Sequence, residues 1–182
     1  MGNVENISLG PGTLYVAQVG STAPTTVTAA WAAAWKEIGY TAEGTEVSVE
    51  ISRDPVEVAE EIDPVGYAST ARSVSVAFAM AELTARNLTI AFNGGTVSTA
   101  GGVTSYIPPE LGAEGSVALG FESEDGEERW IFYKASQSGS VSIGRRKGSD
   151  KATIPVTMNV EKISGKEPFK VLLKDSRSGG TV

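Results

Sequence analysis

The sequence predicts a mainly β fold: a β-sandwich or open barrel of two packed antiparallel sheets, with one α-helix, about residues 80–93, flanking them. Three observations carry this. Apolar and polar residues alternate at a two-residue period in several short runs, the repeat of a strand with one buried and one wet face. Turn residues separate those runs, and Asp125-Gly126 between two of them is the strongest local hairpin signal. One stretch departs from that period: Ala81, Ala85, Leu88 and Phe92 fall at i, i+4, i+7 and i+11, a single helical stripe, and Asn93-Gly94-Gly95 supplies a left-handed stop.

Residues 1 to about 12 are polar and glycine-punctuated and read as an arm. Thr13 to Val19 is a first strand, and Gly20 to Thr28 a loop by its Gly, Ser, Pro and Thr content. Alanines around Trp31 and Trp35 predict a short helical turn that buries two indoles. Val47, Val49 and Ile51 alternate with Glu46, Ser48 and Glu50 in a strand. The Asp54-Pro55 step reads as a turn, because proline fixes φ and removes a ladder donor, so Val56, Val58 and Ile62 fall on a returning strand. Val74, Val76 and Phe78 make a third strand before the helix.

After the helix, Gly94 to Ser105 reads as a loop with little to pack, and Ile107-Pro108-Pro109-Glu110 as a boundary. Val117, Leu119 and Phe121 form a strand that turns through Glu124-Asp125-Gly126-Glu127 and pairs with Arg129 to Ala135. In the latter, Trp130 and Phe132 share one face and Ile131 and Tyr133 the other, so that strand is central or is covered by another subunit. Val141 and Ile143 predict a short strand, and Arg145 to Lys151 a loop. Ile154, Val156, Met158 and Val160 alternate over a longer strand in which Pro155 needs an edge or a bulge. Phe169 to Leu173 is the last strand, and Asp175 onward a flexible tail.

The length of 182 residues suits one domain, 1–182, with a core of its own. A net charge of −7 argues against general affinity for nucleic acid or anionic membrane, both of which are bound by an excess of lysine and arginine. Cysteine and histidine are both absent, which removes disulfides, thiolate metal sites, the commonest general base and the usual partner of a nucleophilic serine. No cofactor or metal is expected. No apolar run approaches the roughly 20 residues that span a bilayer, and the N-terminus has no signal-peptide pattern, so a soluble protein made in the cytoplasm is expected.

Two charged groups stand out. Glu43, Glu46, Glu50, Asp54, Glu57, Glu60, Glu61 and Asp63 cluster on the predicted hairpin. Carboxylates can work as a general acid and base if two converge across a cleft, but a protruding hairpin does not bring them together; a solvated face, a subunit contact or an acidic channel lining remain. Arg145, Arg146, Lys147 and Lys151 could hold phosphate, yet they lack interleaved aromatics and sit in an acidic chain. Pairing with the acidic hairpin of a neighbouring copy suits them better, since complementary charge sets register. The acidic turn at residues 122–128 lacks the spacing of an EF-hand loop, and the sequon Asn87-Leu88-Thr89 lies inside the predicted helix.

The order W-K-E-I-G-Y-T-A-E-G-T-E-V, then an acid-rich strand-turn-strand, then S-V-S-V-A-F-A-M-A-E-L-T-A-R-N-L-T-I-A-F-N-G-G, resembles the major tail tube proteins of long-tailed bacteriophages, especially those of actinobacterial hosts. The likeness is clearest over about residues 12–95. It implies a structural virion protein, not an enzyme, whose copies join into hexameric rings that stack into a tail tube and conduct DNA without binding it. It implies contacts between copies through about residues 43–63, 1–12 and 165–182, and partners among tape-measure and tail terminator or tip proteins. Assembly would occur in the host cytoplasm. Competing readings are another phage decoration or tail-tip sandwich module, or the inner tube of a contractile injection system.

Overall fold

The computed structural model describes residues 7–8, 10–145 and 151–177. Its strands are β1 (Thr13–Gln18), β2 (Lys36–Glu37), β3 (Thr41–Val56), β4 (Gly66–Met80), β5 (Thr96–Ala100), β6 (Val103–Ile107), β7 (Val117–Glu122), β8 (Glu128–Gln137), β9 (Ile154–Val160) and β10 (Phe169–Leu173), with one helix, α1 (Ala85–Ala91), between β4 and β5. Every pairing is antiparallel. The main sheet runs β2-β1-β7-β8-β9-β4-β3, with β10 also on β8, and β5 and β6 form a separate ribbon. The predicted mainly β class with one flanking helix is borne out.

Two packed layers arise from one continuous sheet because β8 changes partners along its length. Its first half lies between β7 and β10, while Ala135 to Gln137 pair with β9. Between these halves the ladder to β7 slips by one residue, a bulge of the kind that bends a strand round a corner. The extra residue also turns Ala135 inward beside Phe132 despite their odd spacing; both are fully buried. At the opposite corner β2 and β3, the two edges of the sheet, are joined only by Ile38, Gly39 and Tyr40, so the sheet curls until its edges nearly meet.

The helix fastens that seam. Buried Asn87 donates from Nδ2 to the Ile38 carbonyl (3.2 Å) and the Glu82 carbonyl (2.8 Å), and Arg86 reaches the Glu37 carbonyl (3.2 Å). Thr84 caps α1 by accepting from the Asn87 N–H. The helix is shorter than predicted: Met80 ends β4, and the buried face is Asn87, Ile90 and Ala91, whereas Phe92 is partly exposed. The predicted left-handed stop is present, with φ of 54° at Asn93 and 125° at Gly94.

The main core lies inside the curl, where Leu14, Val16, Val76, Phe78, Met80, Leu119, Phe132, Ile154, Val156 and Met158 meet from five strands. A second cluster covers the outer face of β1, β7 and β8, with Ala17, Ala118 and Ile131 beneath Trp35 and, half-buried, Trp31. Trp31 stacks on Tyr15 at 4.5 Å, and the loop that carries it is held by buried Arg129, which donates to the Thr26 and Ala29 carbonyls and to Glu122. Gly120 makes room for this layer: a Cβ there would lie 2.4 Å from the Trp31 ring. The indoles are therefore packed as expected, but on an extended segment with a single turn instead of a helical one.

Three further expectations need correction. Asp54-Pro55 does not turn; β3 runs through it to Val56 and the turn spans residues 57–65. An edge strand has no neighbour on one side, so the missing proline N–H costs it little. Residues 94–105 are not a loop but carry β5 and the start of β6, hinged at Gly101-Gly102, both with positive φ. Val141 and Ile143 form no strand and instead pack irregularly against the core. Pro155 sits where β9 pairs with β4 alone, as its chemistry requires.

Candidate functional site

The feature that dominates the surface is an arm, the distal part of β3 and β4 with its tip at residues 57–65. Opposite residues in an antiparallel ladder share a face. Val47 faces Val76, Val49 faces Val74, Ile51 faces Arg72, and Pro55 faces Tyr67. On the other face Glu46 stands opposite Ala77, Ser48 opposite Ser75, Glu50 opposite Ser73, and Asp54 opposite Ala68. The first face is thus apolar from Val47 to Ile51 and carries Arg53 and Arg72 among Ile51, Pro55 and Tyr67 further out, while the other is acidic and serine-rich.

Only the root of the apolar side is covered. Val74 and Val76 are buried, yet Val49 is 46% exposed, Ile51 52% and Tyr67 66%, and Ile62 at the tip is fully exposed. Among the described residues the outer edge of β3 has no partner strand, since β3 pairs with β4 alone. A free two-stranded ribbon is marginal in water, and a row of unpaired backbone groups beside an apolar face is a template for another chain.

Among the eight acids of the arm, Glu46, Glu50 and Asp54 share its polar face, and Glu57, Glu60, Glu61 and Asp63 lie in the tip. Glu43 lies within the ladder irregularity between Thr41 and Thr45. All eight are exposed, strung along the arm rather than gathered round a cleft. Among the described residues no group of carboxylates is placed to hold a metal ion. Arg145 and Lys151 are exposed, and Arg146 and Lys147 lie outside the described residues. The predicted arm of residues 1–12 is described only at residues 7–8 and 10–12.

The predicted C-terminal tail is in part a docked clasp. β10 lies along β8, Lys174 pairs with Glu127, and a single 3-10 turn, Asp175–Arg177, brings Arg177 to Asp125 at 2.6 Å and Glu127 at 3.2 Å. The Arg177 side chain is 6% exposed. Asp125 accepts from the Ser123 hydroxyl and the Glu127 N–H as well as from Arg177, which together pull its carboxyl down to about 2. Residues 178–182 lie outside the described residues.

Sequence reasoning found the acids and missed the apolar side of the arm and the β5–β6 ribbon. The first is visible as Val47-Val49-Ile51, whose alternation predicts a buried face; the second carries a Gly101-Gly102 pair between Thr/Val-rich runs.

A curled antiparallel sheet with open edges and a half-naked arm defines a structural protein made to be completed by others of its kind. The chain belongs to the phage tail tube protein family, whose sequence model matches residues 2–181. Membership makes it a structural component of the virion tail, not an enzyme, and implies self-assembly into a tube. No curated protein sequence matches the chain. No helix among the described residues is long and apolar enough to cross a membrane.

Proposed function

We propose that the chain, folded as a single domain over residues 1–182, joins five others edge to edge into a hexameric ring, and that stacked rings form the tube of a long-tailed phage of the kind that infects actinobacteria. The observation that carries this is the two-faced arm. Seated on a neighbour, its apolar side buries Val49, Ile51 and Tyr67, and its polar side is left facing the common channel. Glu46, Glu50 and Asp54 then repeat round the lumen. DNA slides past such a wall because a carboxylate lining repels phosphate, where lysines would trap it.

Contacts between rings fall to the tip acids Glu57, Glu60, Glu61 and Asp63, met by Arg145, Arg146, Lys147 and Lys151 of another copy, and to the terminal arms. Tape-measure and terminator or tip proteins set the length and the ends, and assembly takes place in the host cytoplasm. Electron microscopy of the purified chain over a concentration series tests the reading. Rings or hollow tubes are expected, in which Ile51→Glu abolishes assembly; a monodisperse monomer at high concentration overturns it.

A further inference from the structure

The arm is not the one surface that asks for a partner. The β5–β6 ribbon stands apart from the main sheet, its strands paired only with each other among the described residues, so both outer edges carry unpaired backbone groups there. Every residue of β5 and β6 except Tyr106 is exposed. The ribbon is tied to the body by little: Tyr106 stacks on Phe92 at 6.1 Å and donates its hydroxyl to the Gly94 carbonyl at 2.7 Å. Cross-strand hydroxyl pairs, Ser98 with Ser105 at 2.7 Å and Thr99 with Thr104 at 3.0 Å, hold its own register.

Exposed ribbons of this kind are ordinarily guarded by a lysine, an inward charge, a proline or a bulge. Here the ladder is unbroken from Thr96↔Ile107 to Ala100↔Val103. No Asp, Glu, Lys or Arg occurs between Arg86 and Glu110, and the first prolines come after Ile107. Val103 is 68% exposed and Leu111, just beyond, is 99% exposed. The sequence is rich in Val, Thr, Ser, Tyr and Ile, which favour strands. A monomer gains nothing from such a surface and risks aggregation by carrying it.

We infer that the β5–β6 ribbon is a second assembly surface, which docks edge-on against another copy of this chain. Charge points to that occupant. Copies of a chain with net charge −7 repel one another, and a stretch without charge is where they approach at least cost. The absence of basic residues speaks against nucleic acid or an anionic lipid surface as the occupant. This inference rests on the self-assembly reading and adds a contact to it.

The test uses the full-length chain. In the double variant Val103→Lys/Ile107→Lys, both changes fall on exposed positions of one face of the ribbon and spare the hydroxyl pairs, so the monomer should keep its circular dichroism and melting temperature. Placing like charges in a repeated contact should raise the concentration needed for polymerisation about tenfold or more. Hydrogen exchange of the unmodified chain supplies an independent readout: the outward-pointing amides of residues 96–107, which have no partner in the ribbon's own ladder, should exchange freely at low concentration and become protected in the polymer. Polymerisation of the variant at the unmodified concentration, or free exchange of those amides in the polymer, would overturn the inference while leaving the tube reading intact. Failure of the unmodified chain to polymerise would remove both. Protection that appears only with another virion protein added assigns the ribbon to that partner and refutes the copy-to-copy contact.

Discussion

The curled sheet and the arm are built from the same strands, β3 and β4, yet they obey different rules. At the root, alternation places Val74, Val76, Phe78 and Met80 into a core that is closed on all sides. At the boundary Val49, opposite Val74, is half-exposed, and further out the same face places Ile51 and, past a bulge, Tyr67 in water. Identical local patterns are spent on monomer stability in one place and held in reserve for association in the other. The sheet can be perturbed only at a cost in folding; the arm can be changed with little cost until copies meet.

Mutation of each region should separate the two. The largest effect belongs to Phe132→Ala, which empties a fully buried site where β8 meets β7 and β10 and should lower stability by about 3–5 kcal/mol, read by urea unfolding. Arg129→Ala frees the loop that carries Trp31 and leaves Glu122 with the Trp31 indole N–H but no cation; a loss of about 3 kcal/mol is expected, with a change in tryptophan fluorescence as the loop lifts. Asn87→Ala leaves the Ile38 carbonyl at the seam without its donor and should cost about 1–3 kcal/mol, with hydrogen exchange rising first in residues 36–41. Equal exchange throughout the main sheet would mean that the helix does not hold the seam.

The clasp contributes less and depends on pH. Because the folded carboxyl of Asp125 titrates below its ordinary value, its contribution is complete above about pH 4 and fades as pH falls toward 2. Asp125→Asn should therefore cost about 1 kcal/mol or less at pH 7, as the group is partly exposed, and nothing near pH 2. A cost that persists at pH 2 would mean that packing, not charge, holds Arg177. Smallest for the monomer is Ile51→Ser on the arm, with a change within about 0.5 kcal/mol in unfolding but loss of polymerisation. If this variant unfolds as readily as Phe132→Ala, the arm is part of the core and the contrast between the regions fails.

Much of the sheet was legible in the chain because alternation reports directly on which face of a strand is apolar. β1, β7, β8 and β9 were placed from it, and Asp125-Gly126 gave the β7–β8 hairpin. The reading failed where one local signal was taken to outrank its surroundings. Pro55 was read as a turn, though on an edge strand it is harmless. The helix was drawn back to Met80, whose apolar neighbours fit either period. The ribbon at Thr96–Ile107 was read as a loop because nothing in it is buried, and burial is what alternation detects.

By itself the sequence determined the class of fold, the periods of most strands, the acidity of the arm, and the absence of the histidine and cysteine on which much catalysis relies. These are properties of residues and their near neighbours, and they survive without coordinates. Tertiary structure alone decided that β8 would bend at a bulge to serve two layers, that Asn87 would fasten the seam, and that the valines of the arm would face water. Whether an apolar face is covered depends on what lies across from it in space, and a strand carries no local record of its partner.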